Sequence, residues 1–303
     1  MTDAAAVPEH ADSLRGRSID VGTVSLWVDE QGPVDGDAVV LVAGADSPGF
    51  RWTPAIVDRL VTEGHRVVRF DHRDCGRSTR FGPHDAYLLD DLVTDVIGLL
   101  DALGIAAAHV IGRSMGGMVA QLLGIDHPAR VRSLTMFGTS PAPGDERLGG
   151  PDDGFVEAMT HRLFAGPPRD DDGRIEWLVE LDGFLSGSSY PLDRDRQVEL
   201  ARAELATGWA PETGHGIAVH ASPGRLERLG AITTPTLVVH GTEDPVFPPA
   251  HGRALATGID GAVLVEVEGL GHEVPDALID ELWPVLRHHL RAAAGWTEAD
   301  EGA

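Results

Sequence analysis

The chain has 303 residues, enough to bury a full core in one large domain or in a core domain carrying a subordinate insertion. Its 48 acidic and 24 basic residues give a formal net charge of -24, and every basic side chain other than His is Arg; such a surface repels nucleic-acid phosphates and anionic membranes. The single cysteine, Cys75, excludes an internal disulfide, no Cys/His cluster has zinc spacing, and no apolar run is long enough to span a bilayer, so with a polar N-terminal segment the expected location is the cytoplasm.

Residues 1–17 read as a loose tail. VSLWV (24–28) is the first predicted strand, and AVVLVAG (38–44) is an apolar run ending in Gly44. The loop Gly44-Ala45-Asp46-Ser47 then leads to an amphipathic stretch, WTPAIVDRLVTEG (52–64), and to a strand, HRVVRFD (65–71). DDLVTDVIGLLDALG (90–104) has helical spacing and stops at Gly104, a plausible C-cap. AAHVIG (107–112) is a strand that breaks into the helix SMGGMVAQLLGIDHP, and VRSLTMFG (131–138) is the next strand.

From Pro141 to about Ile232 the rhythm changes to helical pieces around a Pro/Asp-rich break, GPPRDDDGR (166–174). This stretch, 141–232, is expected to be a helical cap inserted between two parts of a core, 18–140 and 233–294; surface helices without a functional role are the alternative. TPTLVVHG (234–241), a helix near 249–258, AVLVEVEG (262–269) and the helix DALIDELWPVLRHHLRAAA (276–294) complete the set, before a second tail at 295–303. Buried apolar strands alternating with helices predict an α/β fold, a mostly parallel sheet covered on both faces.

The chemistry gathers at three loops. Gly112-Arg113-Ser114-Met115-Gly116 fits G-x-S-x-G between a strand and a helix, the context of a nucleophile elbow. The turn must be sharp for the hydroxyl to project, and the two glycines let backbone pass where a Cβ would collide. The helix start aims free N–H groups at developing negative charge, which makes the Met115 N–H a predicted oxyanion donor. Ala45 N–H is the choice for the second donor, unless its loop is an ordinary strand-to-helix turn.

A serine hydroxyl needs a positioned base. Of 14 histidines, His272 alone sits in a glycine-rich loop, GLGHEVP (269–275), after the last strand and before the last helix, at the carboxyl edge where ligands bind in such sheets. His65, His109 and His240 fall at strand ends as packing or hydrogen-bonding groups, and His288 and His289 read as solvated. Asp244, after the strand TLVVHG, is the acid that would orient the imidazole, with Glu243 as local competitor; Pro245 gives the aspartate a defined turn. The order Ser114, Asp244, His272 is that of the strand-turn-helix hydrolases.

These segments, with VVRFDHRDCGRST (67–79), HVIGRSMGGMVAQLLGIDHPARVRSLTM (109–136) and PTLVVHGTEDPVFPPAHGRALA (235–256), make the chain resemble an α/β-hydrolase over roughly 18–293. More narrowly it resembles the aclacinomycin methylesterase group of actinobacterial carboxylesterases. The resemblance implies an eight-stranded, mostly parallel sheet with a helical cap, a Ser114-Asp244-His272 triad, oxyanion donors at Ala45 and Met115, and ester hydrolysis without a cofactor. The partner implied is a small-molecule ester, with a methyl ester of a polyketide as one form, and the oligomeric state stays open. Two features depart from the group: Ala43-Gly44-Ala45-Asp46 stands where His-Gly or Gly-Gly is common after the first core strand, which puts the Asp46 carboxylate near the entrance, and Arg113 stands where an apolar residue is usual.

Trp52, Phe155, Trp177, Phe184, Tyr190 and Trp209 lie in or near the cap or the oxyanion loop, where they would wall an apolar pocket or simply pack the cap. DHRDCGRS reads as a turn fixed by Asp/Arg pairing and side-chain–backbone hydrogen bonds, with Cys75 a packed or partly exposed thiol rather than a nucleophile. Ser114 argues against a dehalogenase or epoxide hydrolase, which need a carboxylate nucleophile. A carbon–carbon bond hydrolase with the same triad and a non-catalytic small-ligand receptor on the same fold are the remaining alternatives.

Overall fold

A computed structural model describes residues 16–82, 85–211 and 213–294. Its first strands, β1 (Arg17–Val21) and β2 (Val24–Gln31), form an antiparallel hairpin in which Val21 pairs with Val24 across two residues. Gly22 opens the turn at φ 66°, a conformation glycine adopts freely. Sequence reasoning ends the N-terminal tail at residue 17, but Arg17 already belongs to β1, because the Gly22-Thr23 turn folds RSIDV back along β2. The rest of that tail, 1–15, and the tail at 295–303 lie outside the described residues.

Six further strands follow: β3 (Ala38–Val42), β4 (Arg66–Phe70), β5 (Ala108–Arg113), β6 (Val131–Phe137), β7 (Thr236–Gly241) and β8 (Val263–Val267). They complete an eight-stranded sheet of order β1-β2-β4-β3-β5-β6-β7-β8, antiparallel as far as the β2–β4 pair and parallel from β4 to β8. Helices α1 (Pro54–Thr62), α2 (Leu89–Ala102) and α3 (Met115–Asp126) follow β3, β4 and β5. Helices α4 (Asp153–Ala165), α5 (Asp171–Leu185), α6 (Arg194–Ala206) and α7 (His215–Ala221) fall between β6 and β7, while α8 (Ala250–Gly258) and α9 (Asp276–Ala293) follow β7 and β8.

The period of two along each strand divides the core. In β3 every residue is buried: Val40 and Val42 join one apolar cluster with Val68, Phe70 and the inner faces of α2 and α3, while Val39 and Leu41 join another with Ile111, Phe137, α1 and α9. The edge strand β8 is only partly covered.

Three of the helices between β6 and β7 start on aspartate caps. Asp152 accepts from the Gly154 and Phe155 N–H groups, Asp170 from Gly173 and Asp193 from Arg196, each satisfying a donor that the helix cannot. α5 and α6 bury a small core of their own around Ile175, Leu178, Val179 and Ala201. The chain leaving α5 locks onto the core: the Leu185 carbonyl accepts the His272 N–H at 2.7 Å, and the Ser189 N–H donates to the Gly269 carbonyl at 2.9 Å.

Candidate active site

Ser114 is the single residue between β5 and α3, held at φ 53° and ψ -119°. A non-glycine residue there is strained by about 1–3 kcal/mol. Neighbouring contacts fix it: its N–H donates to the Phe137 carbonyl at 2.9 Å, and its carbonyl accepts the Thr139 hydroxyl at 2.6 Å. The two glycines of the motif are required by space, since a Cβ on Gly112 would lie 2.3 Å from the Gly116 carbonyl oxygen and one on Gly116 would lie 2.2 Å from that of Val42.

His272 and Asp244 come from the loops after β8 and β7, on the same edge of the sheet. His272 Nδ1 stands 2.8 Å from Asp244 Oδ2. The other carboxylate oxygen accepts the N–H groups of Val246 and Phe247, each at 2.9 Å. Burial alone would raise the Asp244 pKa, but the His272 charge and these hydrogen bonds hold it below the usual carboxylate value. His240 Nε2 lies 3.6 Å from Asp244 and donates to the Phe247 carbonyl, and the Phe247 ring stands edge-on to His272.

Residues next to the serine meet residues of the histidine loop. Arg113 is ion-paired with Glu273, and a Cβ on Gly138, which follows Phe137, would come within 3.3 Å of His272 Nδ1 and 3.2 Å of Asp244 Oδ2. Asp244 and His272 are thus joined directly. Among the described residues the Ser114 hydroxyl makes no hydrogen bond, an open geometry common before substrate tightens such a site.

The two N–H groups expected to face an oxyanion, those of Ala45 and Met115, donate to no acceptor among the described residues. The Ala45 loop is held from behind by a residue the sequence does not single out, His215. Its Nδ1 accepts the Asp46 N–H at 2.8 Å, and its Nε2 donates to the Arg73 carbonyl at 2.8 Å. Asp46 itself has φ 59°, and its carboxylate accepts from the Thr213 hydroxyl. His72, pushed down to a pKa of about 3 by burial and the nearby His215, is neutral and contacts the Ala43 carbonyl. The signal for His215 is absent from sequence because it lies 169 residues from Asp46.

A charged cluster borders these loops. Arg51 pairs with Glu204 of α6 and, at 3.1 Å, with Asp182 of α5, and it donates to Gln197 at 2.9 Å. Burial pushes the Glu204 carboxyl up to about 7 against the opposing pull of Arg51. Burial would also raise Glu273, but Arg113 first and Arg51 next hold it low. Between the His272 loop and the link from α5 to α6 lies a cavity of about 250 Å3, reached by Arg51, Tyr190, Gln197 and Glu273.

The six aromatics expected to wall a pocket or to pack the cap do not share one surface. Trp52 packs edge-on against Phe137, centroids 6.0 Å apart, inside the core face of α1 and α9. Trp177 stacks under the Arg162 guanidinium at 3.8 Å, and Trp209 packs against the α5–α6 core. Phe184 is exposed. Of the six, only Tyr190 lines the 250 Å3 cavity, and its hydroxyl donates to Glu281. His289 is half-buried and donates to the Leu134 carbonyl, so it is not the solvated group its helix position suggests.

DHRDCGRS is structural and is fixed by both kinds of contact expected, side-chain–backbone hydrogen bonds and an Asp/Arg pair. The Asp71 carboxylate accepts the Gly49 and Arg77 N–H groups, but the Arg73 guanidinium reaches out of the motif to clamp Asp95 of α2 with two 2.7 Å hydrogen bonds. Cys75 is buried, and burial pushes its thiol well above the ordinary value, which leaves it unreactive.

A family model described as alpha/beta hydrolase fold matches residues 39–276. The chain belongs to the α/β-hydrolase fold family. Among curated relatives, this hydrolase is 36% identical over 299 residues to the rhodomycin D methylesterase DnrP of Streptomyces peucetius, covering 91% of this chain and 98% of that one. It is likewise 36% identical over 299 residues, with the same coverage, to the rhodomycin D methylesterase DauP of Streptomyces sp. strain C5. Among solved structures, the 2-hydroxy-6-oxo-6-phenylhexa-2,4-dienoate hydrolase of Rhodococcus sp. strain RHA1 superposes with a TM-score of 0.75 at 22% identity, over 91% of this chain and 98% of that one, a likeness of fold. The hydrolase is a carboxylic-ester hydrolase of this family. No helix among the described residues is long and apolar enough to cross a membrane.

Proposed function

We propose that this hydrolase cleaves a methyl ester of an apolar, polyketide-type acid through an acyl-enzyme on Ser114. The observation that carries the mechanism is the 2.8 Å contact of Asp244 with His272 at the sheet edge that also holds Ser114 in its strained turn. The substrate class is supported by the likeness to the two rhodomycin D methylesterases.

Asp244 accepts a hydrogen bond from the Nδ1–H of His272, which leaves the unprotonated Nε2 as the base. His272 takes the Ser114 proton as Oγ bonds to the ester carbonyl carbon, and the carbonyl oxygen becomes an oxyanion received by the Ala45 and Met115 N–H groups. Collapse breaks the carbon–oxygen bond to the alcohol, which leaves with the proton from His272. Water then gives a proton to His272 as its oxygen bonds to the acyl carbon, and collapse breaks the bond to Ser114 Oγ, which takes that proton back from His272 as the acid leaves. Residues 141–232 act in this reading as the cap that limits access, on a core of 18–140 and 233–294, and the four helices between β6 and β7 support that division. A cytoplasmic location fits the lone buried thiol.

The test is a panel of methyl and short-chain esters of polycyclic and simple acids, with wild type and Ser114→Ala. Wild type should favour the methyl esters of the polycyclic acids, and Ser114→Ala should lose about 10⁴-fold or more in kcat. Full activity of Ser114→Ala would sink the mechanism. Equal rates on all esters would sink the substrate class alone.

A further inference from the structure

We infer that the Arg113–Glu273 ion pair positions the base against the nucleophile and sets the charge that His272 feels. The inference rests on the proposed triad. Arg113 immediately precedes Ser114, and Glu273 immediately follows His272. The two residues are 160 apart in the chain, yet their side chains meet in a pair whose members are only 15% and 17% exposed. A tie between those two backbones restrains the one distance that the direct hydrogen bonds of the site leave free, from Ser114 to His272.

The same guanidinium touches the oxyanion loop. Its Nη2 lies 3.5 Å from the Ser47 hydroxyl, and a Cβ on Gly44 would be 3.4 Å from both that nitrogen and the Ser114 Cβ. One side chain therefore spans the elbow, the oxyanion loop and the histidine loop. Neutralising both partners of the pair keeps the net charge of the region, whereas neutralising one does not.

The groups around the pair come from every neighbouring element. Glu273 feels Arg113 from β5, Arg51 from the turn after the oxyanion loop, and its neighbour His272. Asp182 of α5 and Glu204 of α6 share Arg51 and feel Glu273 in turn. His272 has Asp244 and His240 on its other side. Among these, Arg51 and Arg113 stand against Asp182, Glu204 and Glu273, and Glu204 accommodates the odd proton because its pKa is pushed to about 7. Losing Arg113 leaves uncompensated negative charge beside His272, which favours the imidazolium. Losing the Glu273 charge leaves positive charge there, which favours the neutral ring.

The experiment is the pH profile of kcat/KM with p-nitrophenyl acetate for wild type, Arg113→Met, Glu273→Gln and the double variant. The acidic limb reports the base of the free enzyme. It should move up by about half a unit in Arg113→Met, down by a similar amount in Glu273→Gln, and back towards wild type in the double variant. Each single variant should lose about tenfold in kcat with little change in KM, because a misplaced base slows chemistry more than binding. Arg113→Lys keeps the charge and should keep the limb, which preserves the test if Arg113→Met fails to fold. Limbs that stay in place, or that move the same way in both single variants, overturn the inference. If Ser114→Ala is inactive while the limbs do not move, the pair is structural and the triad stands; if Ser114→Ala is fully active, the triad itself falls.

Discussion

An imidazole serves as a base only in the right tautomer, and in the proposed mechanism Asp244 selects it by accepting a hydrogen bond from the Nδ1–H of His272 at 2.8 Å. Two backbone N–H groups complete the solvation of the carboxylate inside the protein, so it stays ionised despite burial. Asp244→Asn keeps the shape but offers His272 an amide, which favours the wrong tautomer. It should lower kcat by about 10⁴-fold on a methyl ester while KM changes little, measured at pH 7 to 8. A loss of under tenfold would show that Asp244 does not orient the base. The folded-state pKa of Asp244 lies below its unfolded value, so its contribution to stability is present above about pH 4 and disappears as the pH falls through the folded value.

Glu204 shows the opposite sign at the scale of elements, where Arg51 clasps α5 and α6 to the core. Its carboxyl is raised from 4.5 to about 7, so the folded state binds more protons than the unfolded one between those values. Stability contributed by this group is therefore full below about pH 4.5 and is lost as the pH rises through 7. Glu204→Gln cannot titrate, so from pH 5 to 8 the melting temperature of wild type should fall relative to that of the variant. Parallel curves would mean that Arg51 holds Glu204 ionised throughout.

The same elements show what sequence can carry. Each catalytic candidate sits beside a strand end with glycines around it, and parallel strands deliver such ends to one edge, so Ser114, Asp244 and His272 are legible from local pattern. β1 is marked only by the Gly22-Thr23 turn, and of its residues only Val21 is buried while Arg17, Ser18 and Asp20 are exposed, which makes it faint. The clasp of Arg51, the buttress of His215 and the clamp of Arg73 on Asp95 join residues far apart in the chain, and no local period announces them. The aromatics are less legible: position along the chain leaves a pocket wall and packing both open for Trp52 and Trp177, whose rings pack against Phe137 and Arg162.

Over the whole molecule, charge is the term that local pairing leaves unresolved. The arginines make many short-range pairs, from the buried Arg69–Asp29 and Arg73–Asp95 to the exposed Arg194–Glu176. Acidic residues outnumber basic ones by 48 to 24, so the remainder repels itself at longer range, and more strongly in the folded state than in an expanded chain. Salt shortens the screening length from about 10 Å at 0.1 M to about 3 Å at 1 M, which relieves distant repulsion while sparing buried pairs. The melting temperature at pH 7.5 should therefore rise between 0.05 M and 1 M sodium chloride, by about 2–4 °C for each kcal/mol of repulsion removed. Sodium chloride is the right probe because sulfate would also strengthen apolar burial. If the surface pairs outweighed the excess acid, the same titration would lower the melting temperature, and the net charge would then be irrelevant to the stability of the fold.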